Sequence, residues 1–501
     1  MLVELSIKDS GREQEMFIGR AIILFALVVI LFATLVARML TLQVVEHETY
    51  QLRADNNRTQ IQTLAPSRGM IYDRNGRLLA DNQTSFSLAV VAERVEDIED
   101  LLSSIIKILS LDPQQVEKIR AELAKRSRTD AAVVILEALS EKQVSLLAVN
   151  RHRLPGIEVM SHLVRSYPMG SIAAHAVGSV RRLTKEDLQT VQPVQYRGSQ
   201  FIGKRGVEAF YEKSLHGKVG YQKVETDAYG RVRRVLDVQG AQTGQNLILH
   251  LDSKLQAVSV DALDGRRGAV VALDPATGGV LAMVSQPSYD PNLFVSGISP
   301  SQFKEISNSI YVPLFNRAVN GQYAPGSTFK PVVGLAGISS STTDWKETID
   351  DKGWFKLSGQ ERVYRDWSWT KDDSGGQGEV NLNRAIYRSS NVYFYDLASR
   401  MEVNSLLSFA RQFGFGRNLA LDIPQASSGL LPTPEWKRKV KNQPWYPGDS
   451  VNLGIGQGDL LATPLQMAAV AATIANRGKV VRPKMLMSSD PSIDEMIGVD
   501  E

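Results

Sequence analysis

The longest uninterrupted apolar stretch of the chain lies near its N-terminus, at residues 21–37. Its 17 residues carry no charge and are flanked by Arg20 and Arg38. As a helix it would be about 26 Å long, near the lower limit for crossing a bilayer, and residues 39–42 extend it. A cleaved signal peptide fits less well, because the stretch is long for one and arginine stands at the expected cleavage site. A buried core helix is the other alternative. The pattern favours a transmembrane helix at 21–42.

Strand-like and helix-like patterns alternate from there to residue 252. Asn75-Gly76 between two short apolar pieces is typical of a β-hairpin turn. Alternating apolar residues at 246–251 indicate a strand, and the spacing at 116–125 indicates a helix. The pattern predicts an extended stalk at 46–68, a hairpin at 68–82, a strand at 85–91, a helical head at 95–149, a helical segment at 203–220 and β-structure at 221–251.

The second half begins with a predicted helix near Ser253. Apolar residues at 269–274 and 279–285 flank a Pro-Ala-Thr-Gly turn and predict a hairpin within an antiparallel sheet. The remaining predictions are a loop rich in tryptophan and charge at 344–377 and helical segments at 382–399, 403–413 and 464–476. Strands and helices together indicate an α+β fold.

Composition narrows the classes of function. A chain of 501 residues is too long for one core and predicts two or more domains. No basic tract interleaved with aromatic residues accompanies the net charge of +3, so no nucleic-acid partner is expected. The chain has no cysteine, and its six histidines all lie at or before His250. A nucleophilic enzyme in the second half would therefore need a lysine as its base.

One segment supplies such a pair. Residues 323–331 read Tyr-Ala-Pro-Gly-Ser-Thr-Phe-Lys-Pro, which places Ser327 and Lys330 three residues apart. That spacing puts both side chains on one helix face. Pro331 is tolerated only in a first helical turn, so the helix should start close to Ser327. The hydroxyl would then lie at the positive end of the helix dipole.

The tetrad alone carries little information. Ser-x-x-Lys also begins at Ser104, Ser301 and Ser368, and an isolated match is usually a solvated helix face. What distinguishes Ser327 is its turn, the following proline and a second polar cluster, Ser389-Ser390-Asn391, before an apolar helix. In this order the two elements match the serine acyl-transferase signature of penicillin-binding proteins and β-lactamases. The glycine run at 454–458 lacks a nucleotide-site context and is predicted to be a turn or close packing.

With these motifs the chain resembles the class B penicillin-binding proteins over nearly its whole length. RGMIYDRNG and GKRGVEAFYE are similar to the non-catalytic pedestal of that family, and YAPGSTFKP and RSSNVYFY to its first two catalytic motifs. GWFKL, PEWK, PWYPGD and GIGQG favour the elongation-specific branch over the septal one. The resemblance implies a cytoplasmic tail at 1–20, a transmembrane helix at 21–42, a β-rich elongated pedestal with a helical head at 43–252, and a transpeptidase domain of antiparallel sheet and helices at 253–501.

The resemblance also implies an activity. It is that of a D,D-transpeptidase that cross-links peptidoglycan stem peptides during cell elongation and is acylated by β-lactams. Ser327 would be the nucleophile, Lys330 its base, Ser389 a proton relay, and Asn391 a ligand of the substrate amide and of Lys330. The bulk of the chain would lie in the periplasm, anchored in the inner membrane, although the flanking basic residues are balanced. A RodA-type glycan polymerase and an MreC-like scaffold would be its partners.

The chain departs from the family at its third motif. No Lys-Ser-Gly or Lys-Thr-Gly follows Asn391, and the sequence stops at Glu501 where relatives continue. We therefore expect a truncated transpeptidase domain lacking its last strands, with feeble activity. The alternative is a catalytically impaired membrane-anchored scaffold that engages the elongation machinery; a β-lactamase or sensor would leave the pedestal without purpose. Asp351 and Asp366 match acidic ligands of a metal site in some members, but without nearby His or Cys we expect no zinc and no cofactor.

Overall fold

Helices and sheets both occur along the chain, which confirms the α+β prediction. The computed structural model describes residues 10–46, 59–91, 94–95, 97–124, 132–226, 232–295, 297–371, 375–423 and 425–487. The chain forms two units, residues 1–64 with 220–240 and residues 65–219 with 241–501.

The elements of the described residues are numbered in chain order. The strands are β1 (Thr59–Leu64), β2 (Ile71–Tyr72), β3 (Leu78–Val90), β4 (Val133–Leu139), β5 (Ile157–Ser166), β6 (Ser179–Arg182), β7 (Phe201–Arg205), β8 (Gly220–Thr226), β9 (Val232–Gln239), β10 (Leu247–Ile248), β11 (Gly268–Leu273), β12 (Val280–Gln286), β13 (Thr348–Asp351), β14 (Trp354–Lys356), β15 (Val363–Arg365) and β16 (Gly378–Asn381). The helices are α1 (Ser10–Leu40), α2 (Ile98–Leu109), α3 (Pro113–Ala124), α4 (Glu141–Val149), α5 (Ala174–Val177), α6 (Asp187–Thr190), α7 (Gly206–Phe210), α8 (Glu212–His216), α9 (Ser253–Ala262), α10 (Asn292–Val295), α11 (Pro300–Asn308), α12 (Arg317–Asn320), α13 (Lys330–Ser339), α14 (Leu382–Tyr387), α15 (Asn391–Arg400), α16 (Val403–Gln412), α17 (Pro434–Lys441), α18 (Pro447–Gly454) and α19 (Pro464–Ala475).

The first unit contains α1 and a small sheet. Helix α1 continues as a π-helical turn, Thr41–Val45, and Phe17–Val45 is long and apolar enough to cross a membrane. None of the described residues covers the apolar side chains of this segment, as expected of a helix whose surroundings are lipid. Strands β1, β8 and β9 form an antiparallel sheet, with Thr59 opposite Glu225. The predicted β-structure at 221–251 is confirmed by β8, β9 and β10.

Strand β3 is the centre of a five-stranded sheet in the second unit. It pairs antiparallel with β2, β4 and β5, and β10 lies parallel to β2. The hairpin predicted at 68–82 is confirmed, with Gly76 in the left-handed region at φ +79°. The helical head is confirmed at α2, α3 and α4, but β4 lies within it and the prediction was wrong there. A bulge, with Ala138 at φ +53°, breaks the alternation that marks a strand in sequence.

One apolar core runs through the second unit and is built from both halves of the chain. Its buried members include Ile71 and Leu249 from the first half and Met283 and Met485 from the second. The Asp422 carboxylate, buried within the same region, accepts hydrogen bonds from the Tyr211 hydroxyl at 2.8 Å and from the backbone N–H groups of Met485 at 2.8 Å and Leu486 at 2.9 Å. Segments far apart in sequence therefore share one core.

A second core holds the helices that carry the two motifs. Helices α13 and α15 pack with α16 and α18, and Phe329, Phe394 and Leu397 are fully buried between them. The hairpin β11–β12 is confirmed in antiparallel register, and the helices predicted at 403–413 and 464–476 are confirmed as α16 and α19. The segment 344–377 is not only loop, because it contains β13, β14 and β15. Strand β13 pairs with β16 and β14 pairs with β15, and these short strands carry no long alternating pattern.

Candidate active site

Ser327 lies in a 3-10 turn, Gly326–Phe329, that continues directly into α13. Pro331 occupies the first turn of α13, as the sequence predicts, where its missing N–H interrupts no helical hydrogen bond. Phe329 and Lys330 are buried, whereas Ser327 is exposed. The Ser327 hydroxyl is thus held at a helix start and is open to a ligand.

The second polar cluster forms the turn between α14 and α15. Helicity predicted at 382–399 is interrupted here because Ser389 adopts φ +55°, which ends α14. The Ser390 side chain then caps α15 by accepting a hydrogen bond from the Tyr393 N–H at 3.1 Å. Asn391 is the first residue of α15. The backbone of Ser389 and Asn391 is therefore fixed by the end of one helix and the start of the next.

The four predicted site residues come together around the ammonium group of Lys330. Its Nζ donates to the Ser389 carbonyl oxygen at 2.8 Å, to Asn391 Oδ1 at 2.7 Å and to Ser389 Oγ at 3.1 Å. Ser389 Oγ in turn lies 3.0 Å from Ser327 Oγ. A chain of hydrogen bonds therefore connects Lys330 to the exposed hydroxyl of Ser327.

The Lys330 side chain titrates in an unusual environment. Burial lowers its pKa from 10.5 to about 8, while the negative charges of Asp366 and Asp351 act in the opposite direction. Nζ lies over the Phe394 ring, 5.5 Å from the ring centroid. Desolvation of the cation is the dominant effect, and it makes a neutral amine accessible near neutral pH.

Two buried carboxylates lie behind the second cluster. Asp351 Oδ2 accepts from the Ser390 hydroxyl at 2.5 Å, and Asp366 Oδ1 accepts from the Asn391 N–H at 3.0 Å. Burial raises the pKa of Asp351. Sequence reasoning considered both residues only as acidic metal ligands and missed these contacts, because no spacing rule relates a carboxylate at or just after the end of a strand to a helix start 25 or 39 residues later.

The glycine run near the C-terminus supports the nucleophile turn from behind. The Gly326 N–H donates to the Gly456 carbonyl oxygen at 2.8 Å, and the backbones of Tyr323 and Ala462 exchange two further hydrogen bonds. Gly456 has φ +68°, and a Cβ there would lie 2.2 Å from the Gly326 oxygen. Of the two predictions for this run, a turn or close packing, the close packing is confirmed at Gly456.

An exposed tryptophan flanks the turn between α14 and α15, and sequence reasoning did not identify it as a site residue. Trp367 is 67% exposed, and its indole N–H donates to the Arg388 carbonyl oxygen at 3.3 Å. It directly follows Asp366 in sequence, so one short segment both supports the second cluster and borders it. The tryptophan-rich composition of 344–377 was the available signal.

The residues present do not fit a zinc site of carboxylate, histidine and cysteine. No group of three metal-binding side chains occurs within the part of the chain that the structure describes. Asp351 and Asp366 instead use their oxygens as hydrogen-bond acceptors, and no His or Cys follows His250. The absence of zinc remains a prediction. So does the expectation about the last strands, since 488–501 lie outside the described residues.

Two family models match the chain. Residues 63–249 match the penicillin-binding protein dimerisation domain, and residues 268–495 match the penicillin-binding protein transpeptidase domain. Together they cover the greater part of both the sheet region and the region that contains Ser327.

Curated relatives resemble the chain over almost all of its length. The peptidoglycan D,D-transpeptidase MrdA of Acinetobacter baumannii is 38% identical over 96% of this chain and 71% of its own length. The protein of the same name from Escherichia coli K12 is 39% identical over 98% of this chain and 77% of its own length.

Solved structures agree with this similarity. Pseudomonas aeruginosa PBP2 in complex with WCK 5153 is 37% identical, with a TM-score of 0.65 over 86% of this chain and 73% of that one. Helicobacter pylori PBP2 in complex with MreC is 31% identical, with a TM-score of 0.77 over 86% of this chain and 79% of that one. A peptidoglycan synthase complex contains a chain 29% identical, with a TM-score of 0.68 over 96% of this chain and 80% of that one.

Proposed function

The chain belongs to the penicillin-binding proteins, and from that premise we propose that it is a serine-type peptidoglycan D,D-transpeptidase that cross-links stem peptides during cell elongation. The MrdA relatives and the transpeptidase domain support the activity. The observation that carries the proposal to particular atoms is the hydrogen-bonded connection from Lys330 through Ser389 to Ser327.

The first step of the proposed reaction is acylation of Ser327. Its Oγ attacks the carbonyl of the penultimate D-Ala, an ester forms, and the terminal D-Ala leaves as an amine. A neutral Lys330 has two N–H donors, which suit the Ser389 carbonyl and Asn391 Oδ1 at 2.8 and 2.7 Å. Its lone pair then faces Ser389 Oγ. The proton of Ser327 can pass through Ser389 to Lys330 and return by the same path to the leaving amine.

The second step returns the serine to its starting state. An amine from another stem peptide attacks the ester, which transfers the peptide and restores the Ser327 hydroxyl. A β-lactam enters the first step through its strained amide and leaves a slowly resolved ester. Asn391 is proposed to bind the amide backbone of either ligand while it fixes Lys330.

The anchoring of the molecule follows from α1. This apolar helix makes the chain a membrane-anchored protein, and we propose a single-pass inner-membrane topology with residues 1–20 in the cytoplasm and the span at 21–42. The pedestal at 43–252 and the transpeptidase domain at 253–501 would then lie in the periplasm. The MreC complex of the Helicobacter pylori relative and the synthase complex support an MreC-like scaffold and a RodA-type glycan polymerase as partners.

A fluorescent penicillin tests the proposed acylation. The full chain should become covalently labelled, and Ser327→Ala should abolish labelling, because within the described part of the chain Ser327 is the hydroxyl that Ser389 connects to Lys330. Ser301→Ala is the matched control, since Ser301 begins the same Ser-x-x-Lys tetrad on an exposed helix and should not affect labelling. A folded but unlabelled wild-type chain would contradict the proposal and favour the scaffold alternative.

A further inference from the structure

Two buried carboxylates accept hydrogen bonds from the second polar cluster, Ser389-Ser390-Asn391. Asp351 ends β13 and Asp366 follows β15, and their exposed fractions are only 1% and 5%. A buried carboxylate is unfavourable unless hydrogen bonds compensate for the lost water. Each of these carboxylates accepts such hydrogen bonds. The donors are in the second cluster or in the segment 353–377 beside it.

The hydrogen bonds divide between the cluster and the loop. Asp351 accepts from the Ser390 hydroxyl and, through its other oxygen, from the Gly353 N–H at 2.8 Å. Asp366 accepts from the Asn391 N–H, from the Ser368 hydroxyl at 2.8 Å and from Gln377 Nε2 at 3.0 Å. The two carboxylates thus fix consecutive residues, 390 and 391, to β13 and to the loop after β15.

We propose that Asp351 and Asp366 are positioning residues that hold Ser390 and Asn391 through hydrogen bonds, without a metal ion. Among the described residues, the hydrogen-bond acceptors of Lys330 Nζ all belong to Ser389 or Asn391, so the placement of this turn determines the placement of the amine. The proposal rests on the proposed function, because it assigns the purpose of that placement to acylation at Ser327.

The amide of Gln377 gives this arrangement a distinctive property. Its Oε1 is buried and has no hydrogen-bond partner among the described residues, while its Nε2 donates to Asp366. In Asp366→Asn the new Nδ2 would face Nε2, but a rotation of the Gln377 amide would present Oε1 instead and make a new hydrogen bond. The remaining Oδ1 would still accept from the Asn391 N–H. An asparagine should therefore keep the geometry that an alanine loses.

Acylation kinetics of the full chain with penicillin test the proposal. Asp366→Ala should reduce the acylation rate constant about 10- to 100-fold, because a misplaced catalytic group slows the chemical step. Asp366→Asn should recover most of this loss. Asp350→Ala is the matched control, since Asp350 lies on the same strand as Asp351 with a 62% exposed side chain and should not affect the rate. A wild-type rate in Asp366→Ala, or no recovery in Asp366→Asn, would overturn the proposal.

Two further measurements separate this inference from the activity itself. Hydrogen exchange of the backbone at 389–393 should be faster in Asp366→Ala than in the wild type, Asp366→Asn or Asp350→Ala, whether or not the chain is acylated. Equal exchange in all four would overturn the proposal, whereas an unlabelled wild type with this exchange pattern would overturn only the proposed function. Metal chelation should leave wild-type exchange unchanged; a chelator effect reversed by zinc would show that a metal ion does the holding.

Discussion

Lys330 is the residue at which burial and hydrogen bonding act against each other. Three acceptors surround its Nζ and favour an ammonium group, yet the side chain is 1% exposed and desolvation lowers its pKa to about 8. The outcome is an amine whose charged and neutral forms are both accessible near neutral pH. A base with this property can accept a proton in acylation and return it to a leaving group.

The pH dependence of acylation should report this titration. The neutral amine is the active form, so the penicillin acylation rate should rise about tenfold per pH unit below pH 8 and level off above it. Rates measured from pH 6 to 9.5 would check this, with thermal unfolding at each pH as the control that the chain stays folded. A rate independent of pH across this range would show that Lys330 is not the group that accepts the proton.

The sequence allows some site residues to be predicted and conceals others. Ser327 and Lys330 are three residues apart on one turn, and Ser389 and Asn391 lie beside an apolar helix, so local patterns suffice to find them. Asp366 contributes through a contact with the Asn391 N–H, which depends on how a loop returns to a helix start. No local periodicity encodes such a return of the loop. The role of the Asp366 carboxylate as an acceptor can therefore be identified only in the folded chain.

At the scale of elements, the glycine run at 454–458 limits where the turn that carries Ser327 can lie. The turn with Ser327 approaches residues 454–458 so closely that Gly456 has no room for a side chain. The glycine run predicted either a turn or close packing here, because glycine is the residue that permits both. Sequence patterns did not predict β4, because a bulge removes the alternation on which strand prediction depends.

Substitution of Gly456 should separate crowding from backbone strain. Gly456 and Gly458 both have positive φ, +68° and +77°, so an alanine at either should destabilise the protein by about 1–2 kcal/mol. Only Gly456→Ala also places Cβ 2.2 Å from the Gly326 oxygen, and it should lose about 1–3 kcal/mol more and slow acylation. Gly458→Ala, whose Cβ would meet nothing closer than 3.4 Å, is the control. Equal effects in denaturant unfolding and acylation would contradict this account.

At the scale of the whole molecule, the second unit depends on contacts between residues far apart in sequence. The Asp422 carboxylate accepts from Tyr211 and from the backbone of Met485 and Leu486, at the core that both halves of the chain share. Burial raises its pKa, so the hydrogen bonds are what keep a carboxylate in this place. Elements found from local patterns did not reveal this sharing.

Removal of this acceptor should destabilise the second unit. Asp422→Ala would leave the buried N–H groups of Met485 and Leu486 without their carboxylate, and each such loss is worth about 1–3 kcal/mol. Denaturant unfolding should show a decrease of at least about 2 kcal/mol. Asp459→Ala, which removes a partly exposed pair with Lys441, should change stability by no more than about 1 kcal/mol. Similar losses of unfolding free energy in the two variants would show that the buried Asp422 contributes no more to stability than a partly exposed ion pair.

The shared core also has a consequence for the chain during its synthesis. A ribosome delivers Ile71 and Leu79 about 400 residues before Met485 and Leu486, which are their partners in one core. Residues 167–251 of the same core emerge much earlier, but the contacts of β2 and β3 with the late residues must wait, and such contacts of high sequence separation make folding slow. Until residues 485 and 486 emerge, this core lacks part of its apolar contacts, and exposed apolar surface of this kind favours self-association.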